Sequence, residues 1–580
     1  MITNQQWHNM NIVPPQLASA ETHYKMGNVL REQGKLEDAI ESYIQALELN
    51  PKFVEAYNNL GNVLKELGRL EEAIESYKRA LMINPDYVEA CYNMGIALTD
   101  ITFDLHEYNP NLTEIVCKIL EKETFVRPLD ISKAVSSLLK FDPNLQAVFS
   151  KISAGTLLES LQEIIVDLSN VTLLIQLMKV FPLSDLEFEG AFKNIRSAIL
   201  LSISKIKNNS EILIFQIALS LQCFLNEYLY NQTDVEVEAL KELENLVEKK
   251  LTNGQQPSLT ELACIASYKP LYEYSWCHLL SMPVELEILQ RRQILEPEKE
   301  NQLKSTIPIL QEIENEVSCK VREQYEQDPY PRWVNLEVSN LDINEIDTPQ
   351  ILIAGCGTGE HSITTATRFK NCDVLAIDLS LSSLAYAKRK TEELGISNIE
   401  YMQADILDLL SLDRKFDIIE SSGVLHHMDD PMVGWKVLTD LLNTGGLMQI
   451  GLYSKLARRN AVQIRDEIKQ LHIESSHDAM KSFRNKITSS EEIHHKLITL
   501  SSDFYSMSTF RDLLFHVQEH QFTIPQIEAS LDQLGLVFCG FVNSMNEHCG
   551  FSTDLQVWDT YEKENPRTFM GMYQFWCQKA

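Results

Sequence analysis

The sequence lacks the features that would place this protein in a membrane, in an oxidising compartment or on nucleic acid. No stretch approaches about 18 consecutive apolar residues, and the N-terminus has neither the basic nor the apolar segment of a secretory signal. Basic residues are scarce, at 51 against 82 acidic ones, and the formal charge of -31 repels phosphate backbones and anionic membranes. We therefore expect a cytoplasmic protein that binds neither nucleic acid nor membrane.

Cysteine patterns that bind metal are also missing. The eleven cysteines are scattered without C-x-x-C pairs or other metal-ligand spacing. We interpret them as buried thiols in a reducing compartment. At 580 residues the chain exceeds the size at which one core keeps growing, so about two to four domains are expected.

The most informative segment is an apolar run that breaks into alternating glycines. A predicted strand at 351–354 is followed by Gly355, Gly357 and Gly359, and a helix begins at Glu360. Glycines let the backbone approach a ligand where a Cβ atom would collide. The dinucleotide fingerprint needs a glycine where Glu360 stands, so the pattern argues against NAD.

Four further predicted strands follow in the same alternation of strand and helix. A carboxylate at the end of such a strand can accept hydrogen bonds from both hydroxyls of a ribose. The four segments are 373–378, which ends in Asp378; 399–405, which ends in Asp405; 416–420, which leads into Ser421; and 445–452, which begins with two glycines.

These five motifs in register resemble class I S-adenosylmethionine-dependent methyltransferases. The resemblance implies S-adenosylmethionine as cofactor, with Asp378 on its ribose hydroxyls and Asp405 at its adenine amino group. One position departs from the family, since Ile353 stands where an acidic residue usually lies near the cofactor ammonium. The cofactor-binding residues implied are Gly355, Gly357, Gly359, Asp378, Leu379, Asp405, Ile406 and Ser421.

Residues 21–100 repeat with a period of 34, with small residues at shared positions and prolines Pro51 and Pro85 at the unit ends. The pattern resembles the tetratricopeptide repeat, which implies two antiparallel helices per unit and a protein or peptide partner. Asn59 and Asn93 share one repeat position, similar to the asparagines that hold extended peptides in such arrays. Solvated surface amides are the alternative, which we favour.

The predicted fold class is a multi-domain chain that is α-helical first and then adopts an α/β Rossmann-like class I methyltransferase fold with a helical insertion after strand 5. A strand pair at 536–541 and 572–577 is expected to close the sheet. The whole combination resembles a bacterial group of methyltransferases that carry tetratricopeptide repeats. The predicted boundaries are an N-terminal tail at 1–20, repeats at 21–100, a helical middle domain at 101–318, a lead-in segment at 319–348, and the methyltransferase domain at 349–580 with its insertion at about 453–528.

Histidines provide the candidate acid–base residues. His427 follows the fourth strand, at the edge where open α/β sheets bind ligands, and the insertion contributes His516 or His520. The alternative is that His427 and its neighbour His426 only shape the cofactor loop. His516 and His520 are spaced for a shared metal, but no third ligand is visible, so a hydrogen-bond network is favoured and no metal is predicted.

Aromatic residues beside the core can face the cofactor sulfonium, since an aromatic ring attracts a cation. The candidates are Tyr330, Trp333 and Tyr505. Two functions stay open. In the first, the chain is an active methyltransferase whose repeats recruit a protein or peptide and whose acceptor is a protein or a small molecule. In the second, the fold is a catalytically inactive scaffold or adaptor.

Overall fold

The structure, a computed structural model, describes residues 19–100, 108–338, 348–369, 371–542 and 552–580. Most of the predicted N-terminal tail, and residues 339–347 of the predicted lead-in segment, lie outside these ranges.

The described residues form two compact units. The first runs to Phe181 and includes Asn209–Ala218 and Val334–Glu337, and the second contains Pro182–Asn208, Leu219–Trp333 and the residues from Val338 onward. The region 101–318, predicted as one middle domain, contributes to both units.

The first unit begins with helices that keep the predicted repeat. Tyr43 packs so closely on the neighbouring helix that a Cβ atom at Gly27 would lie 2.5 Å from its ring, and Ala39 and Ala46 are fully buried. Small residues at these positions therefore allow the helices to approach. The helices are α1 (Ala20–Glu32), α2 (Leu36–Leu49), α3 (Val54–Glu66), α4 (Leu70–Ile83) and α5 (Val88–Asp100).

Five more helices complete the first unit up to Phe181. Proline occupies the first turn of α6, α7 and α8, where its missing N–H costs no hydrogen bond. Among the described residues no single helix is long and apolar enough to cross a membrane, although α9 and α10, bent by 83°, pass that test as a pair. The helices are α6 (Pro110–Glu121), α7 (Pro128–Lys140), α8 (Pro143–Ser153), α9 (Leu161–Ser169) and α10 (Thr172–Val180).

The chain continues through helices that lead to the sheet. Two of them begin with capping boxes, in which Thr233 with Glu236, and Ser258 with Glu261, satisfy the first free N–H groups. The helices are α11 (Leu186–Leu201), α12 (Ser210–Leu225), α13 (Asp234–Thr252), α14 (Leu259–Ala266), α15 (Glu287–Gln290), α16 (Glu296–Lys304) and α17 (Glu316–Gln327).

A seven-stranded sheet forms the centre of the second unit, in the order β3-β2-β1-β4-β5-β7-β6. β7 runs antiparallel to β5 and β6, and the remaining neighbours are parallel. β1 and β2 contribute residues to the hydrophobic clusters on both faces of the sheet, which explains their continuous apolar runs. The strands are β1 (Gln350–Ala354), β2 (Asp373–Asp378), β3 (Ile399–Gln403), β4 (Phe416–Ser422), β5 (Leu442–Leu452), β6 (Leu536–Phe541) and β7 (Tyr573–Lys579).

Helices join these strands, and the predicted helical insertion follows β5. The insertion has its own apolar core, which includes Ile464, Phe483 and Phe510. The order of strands reverses between β1 and β4, and the carboxyl ends of β1, β2 and β4 meet there. Open α/β sheets bind ligands at such a point. The helices are α18 (Glu360–Arg368), α19 (Leu381–Glu393), α20 (Pro431–Leu441), α21 (Arg459–Gln470), α22 (His477–Thr488), α23 (Ile493–Ile498), α24 (Met507–Phe510), α25 (Ile524–Leu534) and α26 (Leu555–Glu564).

Candidate active site

The glycine loop after β1 is tightly enclosed. Gly357 has φ +50°, and a Cβ atom there would lie 2.7 Å from the carbonyl oxygen of Tyr330. At Gly355, with φ +82°, a Cβ atom would lie 2.3 Å from Cγ2 of Val424, which follows β4. Gly359 is the N-cap of α18. Glycine is therefore required where the loop passes between the lead-in segment and the loop after β4.

Asp378 ends β2 with its carboxylate turned to the glycine loop. Its Oδ2 accepts the N–H of Gly357 at 2.9 Å, and its Oδ1 accepts the N–H of Ser380 at 2.9 Å. Burial raises the pKa of Asp378 to about 6, although the hydrogen bonds from Ser380 and Gly357 oppose this shift. The group is mostly ionised at pH 7, and each oxygen keeps a lone pair that can accept a ribose hydroxyl.

The end of β3 holds the second predicted carboxylate. Asp405 is buried and its Oδ1 accepts the N–H of Leu407 at 3.0 Å, so it caps the 3₁₀ turn that begins at Ile406. The carbonyl of Leu379, directly after Asp378, accepts Nε2 of Gln403 at 2.7 Å. These contacts bring the loops after β2 and β3 together.

A cavity of about 330 Å³ lies beside Asp405. Its far wall comes from a segment that sequence reasoning did not connect with the sheet. The carbonyl of Pro308 accepts the N–H of Gln403 at 2.9 Å, and the N–H of Leu310 donates back to the Gln403 carbonyl at 2.9 Å. This segment thus extends the β3 edge. The lining residues are Gln311, Glu312, Glu314, Asn315, Asp405, Leu407 and Asp408.

Ser421 and Glu420 occupy the end of β4. The Ser421 hydroxyl donates to the Ala354 carbonyl at 3.1 Å, which ties β4 to β1 just before the glycine loop. Glu420 is fully buried and lies opposite Ile353 in the register of the two strands. A carboxylate therefore stands beside Ile353, although β1 itself lacks one.

The Glu420 carboxylate is only partly satisfied. Its Oε2 accepts Nε2 of His361 at 2.7 Å and the hydroxyl of Thr365 at 2.6 Å, whereas its Oε1 has no partner among the described residues. Burial pushes the pKa of Glu420 up, but His361 and Thr365 more than offset this, so the pKa stays below its usual value. The sequence offered no signal for Glu420 beyond a charged residue inside a buried strand.

The lead-in segment covers the glycine loop. The indole Nε1 of Trp333 donates to the carbonyl of Thr358 at 3.2 Å, and the Thr358 hydroxyl donates to the carbonyl of Pro331. The Tyr386 hydroxyl of α19 donates to the Trp333 carbonyl. Trp333 is thus held through its indole N–H and its carbonyl, and the lead-in segment covers the glycine loop.

The structure brings His427 and His516 together. Their ring centroids lie 3.6 Å apart with the planes at 23°. His516 Nε2 lies 3.1 Å from the Tyr325 hydroxyl, which donates to Oδ1 of Asp512 at 2.7 Å. Tyr453 donates to the other oxygen of Asp512 at 3.3 Å. We call His427, His516, Tyr325, Asp512 and Tyr453 the histidine network.

Backbone contacts fix the protons of both imidazoles. His427 Nδ1 lies 2.7 Å from the carbonyl of Gln518, so Nδ1 carries the proton and Nε2 keeps its lone pair. His516 Nδ1 accepts the N–H of Gln518 at 3.2 Å, so its proton is on Nε2, towards Tyr325. Burial lowers the pKa of both histidines. The network therefore presents one neutral imidazole with a free lone pair.

The remaining predicted histidines lie at the edge of this network. His426 is fully buried and stacks on Tyr453 with ring centroids 3.9 Å apart. His520 donates its backbone N–H to the His426 carbonyl at 2.8 Å, and its ring lies near the Asp429 carbonyl instead of His516. The two insertion histidines therefore do not act as a pair.

Two of the three predicted aromatic residues lie beside the glycine loop. Tyr330 stacks with Tyr325 at a centroid distance of 6.4 Å, and Trp333 hydrogen-bonds to Thr358 of the loop. Tyr505 instead belongs to the core of the insertion, where its hydroxyl donates to the carbonyl of Thr499 at 2.9 Å.

Sequence reasoning missed Tyr325, Asp512 and Tyr453 as members of the network. Asp512 lies in a π-helical turn, Arg511–Phe515, which presents its carboxylate to two tyrosines that are distant in sequence. π-Helical turns are frequent at functional sites, but no residue pattern in Arg511–Phe515 predicted one.

Family models match both the repeats and the sheet domain. Residues 351–446 match the family model of a methyltransferase domain, and residues 27–68 and 61–100 match that of the TPR repeat. An uncharacterized protein from Synechococcus sp. is 28% identical over 209 residues, which cover 34% of this chain and 49% of that protein. A release factor glutamine methyltransferase from Lactococcus lactis is 26% identical over 186 residues, which cover 30% of this chain and 65% of that enzyme.

Among solved structures, PKMT2 from Rickettsia typhi in complex with AdoHcy matches at 18% identity and a TM-score of 0.32, covering 46% of this chain and 52% of that one. The chain spans about half the length of the Synechococcus relative. The predicted repeats, the methyltransferase domain and the α/β fold class are confirmed. Residues 27–100 carry TPR repeats, and residues 351–446 form a methyltransferase domain.

Proposed function

We propose that the chain is an active methyltransferase whose acceptor loses a proton on methylation, with His427 as the general base. The main support is the imidazole of His427. Burial keeps it neutral, and the Gln518 carbonyl binds its Nδ1–H, so the lone pair of Nε2 is available to accept a proton. Such a base is useful for a hydroxyl, an amide or an amine, and useless for an acceptor without a proton.

The residues present fit the cofactor. The bare glycine loop gives the backbone approach, Asp378 would hold the ribose, and the loops around Asp405 would hold the adenine. Glu420 keeps one unpartnered oxygen beside Ile353, which offers a buried anionic acceptor where the strand has none. When bound, S-adenosylmethionine supplies an activated methyl group on a sulfonium.

The protein's own contribution is orientation, exclusion of water and movement of one proton. The lead-in segment at Trp333 covers the glycine loop. Correct orientation of two reactants can lower an activation barrier by about 7 to 11 kcal/mol. The proton of the acceptor passes to His427 Nε2, and the imidazolium that forms is stabilised by the carboxylate of Asp512, whose charge favours the protonated form.

The repeats are proposed to recruit a protein or peptide that is the acceptor or a partner. In the structure, Nδ2 of Asn59 donates to Oδ1 of Asn28 at 3.0 Å, and Nδ2 of Asn93 donates to Oδ1 of Asn58 at 2.9 Å. These donors already link neighbouring helices, so a peptide would have to bind through other groups of the repeat surface or displace them.

Calorimetry with S-adenosylmethionine on the full chain tests the cofactor site. We expect micromolar binding that is lost in Asp378→Ala, because the ribose hydroxyls lose their acceptor. Asp373→Ala, at the exposed opposite end of β2, is the matched control and should bind normally. Absence of detectable heat from the unaltered chain would favour the inactive scaffold instead.

The acceptor class follows from methyl transfer into a cell lysate with labelled cofactor, counting protein and small-metabolite fractions separately. Label in protein that is lost when residues 1–100 are removed supports recruitment by the repeats. Label confined to small metabolites would assign a small-molecule acceptor and leave the repeats to another partner.

A further inference from the structure

The helical insertion contains a second group of two histidines and a carboxylate, separate from the histidine network. Glu467 lies near the end of α21, and His494 and His495 are consecutive residues of the short helix α23. All three belong to the second unit. We call these residues the insertion cluster.

Both imidazoles of the insertion cluster aim at one carboxylate. His494 Nε2 lies 2.5 Å from Oε1 of Glu467, and His495 Nε2 lies 3.1 Å from Oε2. The histidine side chains are 6% and 4% exposed, whereas the Glu467 side chain is 27% exposed. The donor atoms of the three residues all lie within 4.8 Å of one another. Two buried nitrogens and a carboxylate that reaches solvent thus converge on one point.

The ring geometry allows one ion to be shared. A metal binds an imidazole in the plane of the ring, along the nitrogen lone pair. The rings of His494 and His495 cross at 52° with centroids 4.4 Å apart, so a single point can lie in both planes. The Glu467 carboxylate holds the proton of His495 on Nε2 when no ion is bound. No described residue contacts Nδ1 of His495, so the proton can move to Nδ1 when an ion binds at Nε2.

We propose that Glu467, His494 and His495 bind a divalent transition-metal ion, with Zn²⁺ as the best match. Two imidazole nitrogens and one carboxylate oxygen, with a fourth position open to water, form a recognised Zn²⁺ ligand set. Ligand distances of about 2.0 to 2.2 Å require donor atoms about 3.3 Å apart. The Glu467 carboxylate, which is partly exposed, can make that adjustment by moving outward.

The ion would brace the part of the insertion that holds the histidine network. Helix α21 also carries Arg465, whose Nη2 donates to the carbonyl of His516 at 2.8 Å, and it begins after Arg458, which pairs with Glu519 at 2.6 Å. Linking α21 to α23 through a metal would restrict the movement of these two arginines. Metal binding at the insertion cluster does not depend on the reaction proposed for the histidine network.

The test titrates Zn²⁺ alone into metal-free full-length protein in competition with a chromophoric chelator. We expect one Zn²⁺ ion to bind per chain. Loss of a residue that only hydrogen-bonds to a metal ligand lowers metal affinity about 10- to 100-fold. Since Glu467→Gln and His494→Ala each remove a ligand itself, each should lower the affinity by more than that. Circular dichroism checks that both variants fold. Titration with Co²⁺, whose visible absorption reports tetrahedral ligation, gives a second readout on the unaltered chain.

His427→Asn with His516→Asn is the matched control, since it removes two histidines from the other group. Unchanged Zn²⁺ binding in this control, together with loss in the Glu467 and His494 variants, supports the proposal. Binding that is lost only in the control, or that is unaffected by every variant, overturns it. So does the absence of Zn²⁺ binding and of a Co²⁺ spectrum in the unaltered protein.

Discussion

Among its described residues the second unit contains two groups of two histidines and one carboxylate. They are His427, His516 and Asp512 in the histidine network, and His494, His495 and Glu467 in the insertion cluster. In the network the imidazoles are stacked, 3.6 Å apart at 23°. In the insertion cluster they cross at 52°. Since a metal must lie in the plane of each imidazole, about 2.0 to 2.1 Å from its nitrogen, two stacked rings cannot share one ion.

The two groups also differ in how their protons are fixed. The backbone of Gln518 holds the proton on Nδ1 of His427 and on Nε2 of His516, so His516 faces Tyr325 with a donor and not with a lone pair. In His495 a side chain, the Glu467 carboxylate, holds the proton on Nε2, and no described residue contacts Nδ1, so the proton can move there when an ion binds. Residue type alone therefore does not separate a proton-transfer site from a metal site. The ring angle and the backbone partners do.

The largest expected effect is that of His427→Asn on methyl transfer. Asparagine keeps a donor for the Gln518 carbonyl and removes the lone pair of Nε2, so kcat should fall about 10² to 10⁴-fold. Calorimetry should show unchanged binding of S-adenosylmethionine. His495→Asn, the same change in the insertion cluster, is the control and should leave kcat within a few-fold. An unchanged kcat in His427→Asn would remove the base from the mechanism.

A smaller effect is expected from Tyr325→Phe. Its hydroxyl links His516 to Asp512, and the change leaves the buried carboxylate of Asp512 with one hydrogen bond fewer. Loss of a hydrogen bond to a charged group costs about 1.5 to 3 kcal/mol, which denaturant unfolding can measure. Tyr505→Phe removes a hydroxyl bonded only to a backbone carbonyl and should cost about 0.5 to 1.5 kcal/mol. Equal losses would mean that the hydrogen bond from Tyr325 to Asp512 is no stronger than one to a backbone carbonyl.

The pH dependence separates the base from the cofactor site. Burial lowers the pKa of His427, so this base stays neutral and active at a pH at which an ordinary histidine begins to be protonated. The pKa of Asp378 is raised to about 6, so its carboxylate protonates as the pH falls through about 6 and the hold on the ribose weakens. We expect KM for S-adenosylmethionine to rise about tenfold per pH unit below that point, and kcat to begin falling only at a pH below the usual pKa of a histidine.

Asp378→Asn should abolish that rise in KM, because an amide does not titrate in this range. If kcat instead begins to fall as the pH passes through the usual histidine pKa of about 6.5, the network does not hold the base neutral.

The sequence predicted the sheet well and the network poorly, for one physical reason. Asp373–Asp378 was predicted and is observed as β2, since a strand buried on both faces must be an apolar run. Tyr325 and Asp512 are polar residues that meet only when the lead-in and insertion segments fold together. Nothing local distinguishes them from solvated side chains. The pairing of Ile309 with Gln403 at the sheet edge is likewise a long-range contact.

The smallest expected effect is that of Glu467→Gln on metal-free stability. The Glu467 side chain is 27% exposed, and glutamine keeps an oxygen acceptor for one imidazole, so the free energy of unfolding should change by about 1 kcal/mol or less. Asp512 is buried and accepts from two tyrosines, so Asp512→Asn should cost about 1.5 to 3 kcal/mol. Addition of Zn²⁺ at 100 times its Kd should raise the free energy of unfolding of the unaltered chain by about 2.7 kcal/mol. The free energy of unfolding of Glu467→Gln should stay the same at that Zn²⁺ concentration. Equal stabilisation of both proteins would place the ion elsewhere and leave the two groups alike.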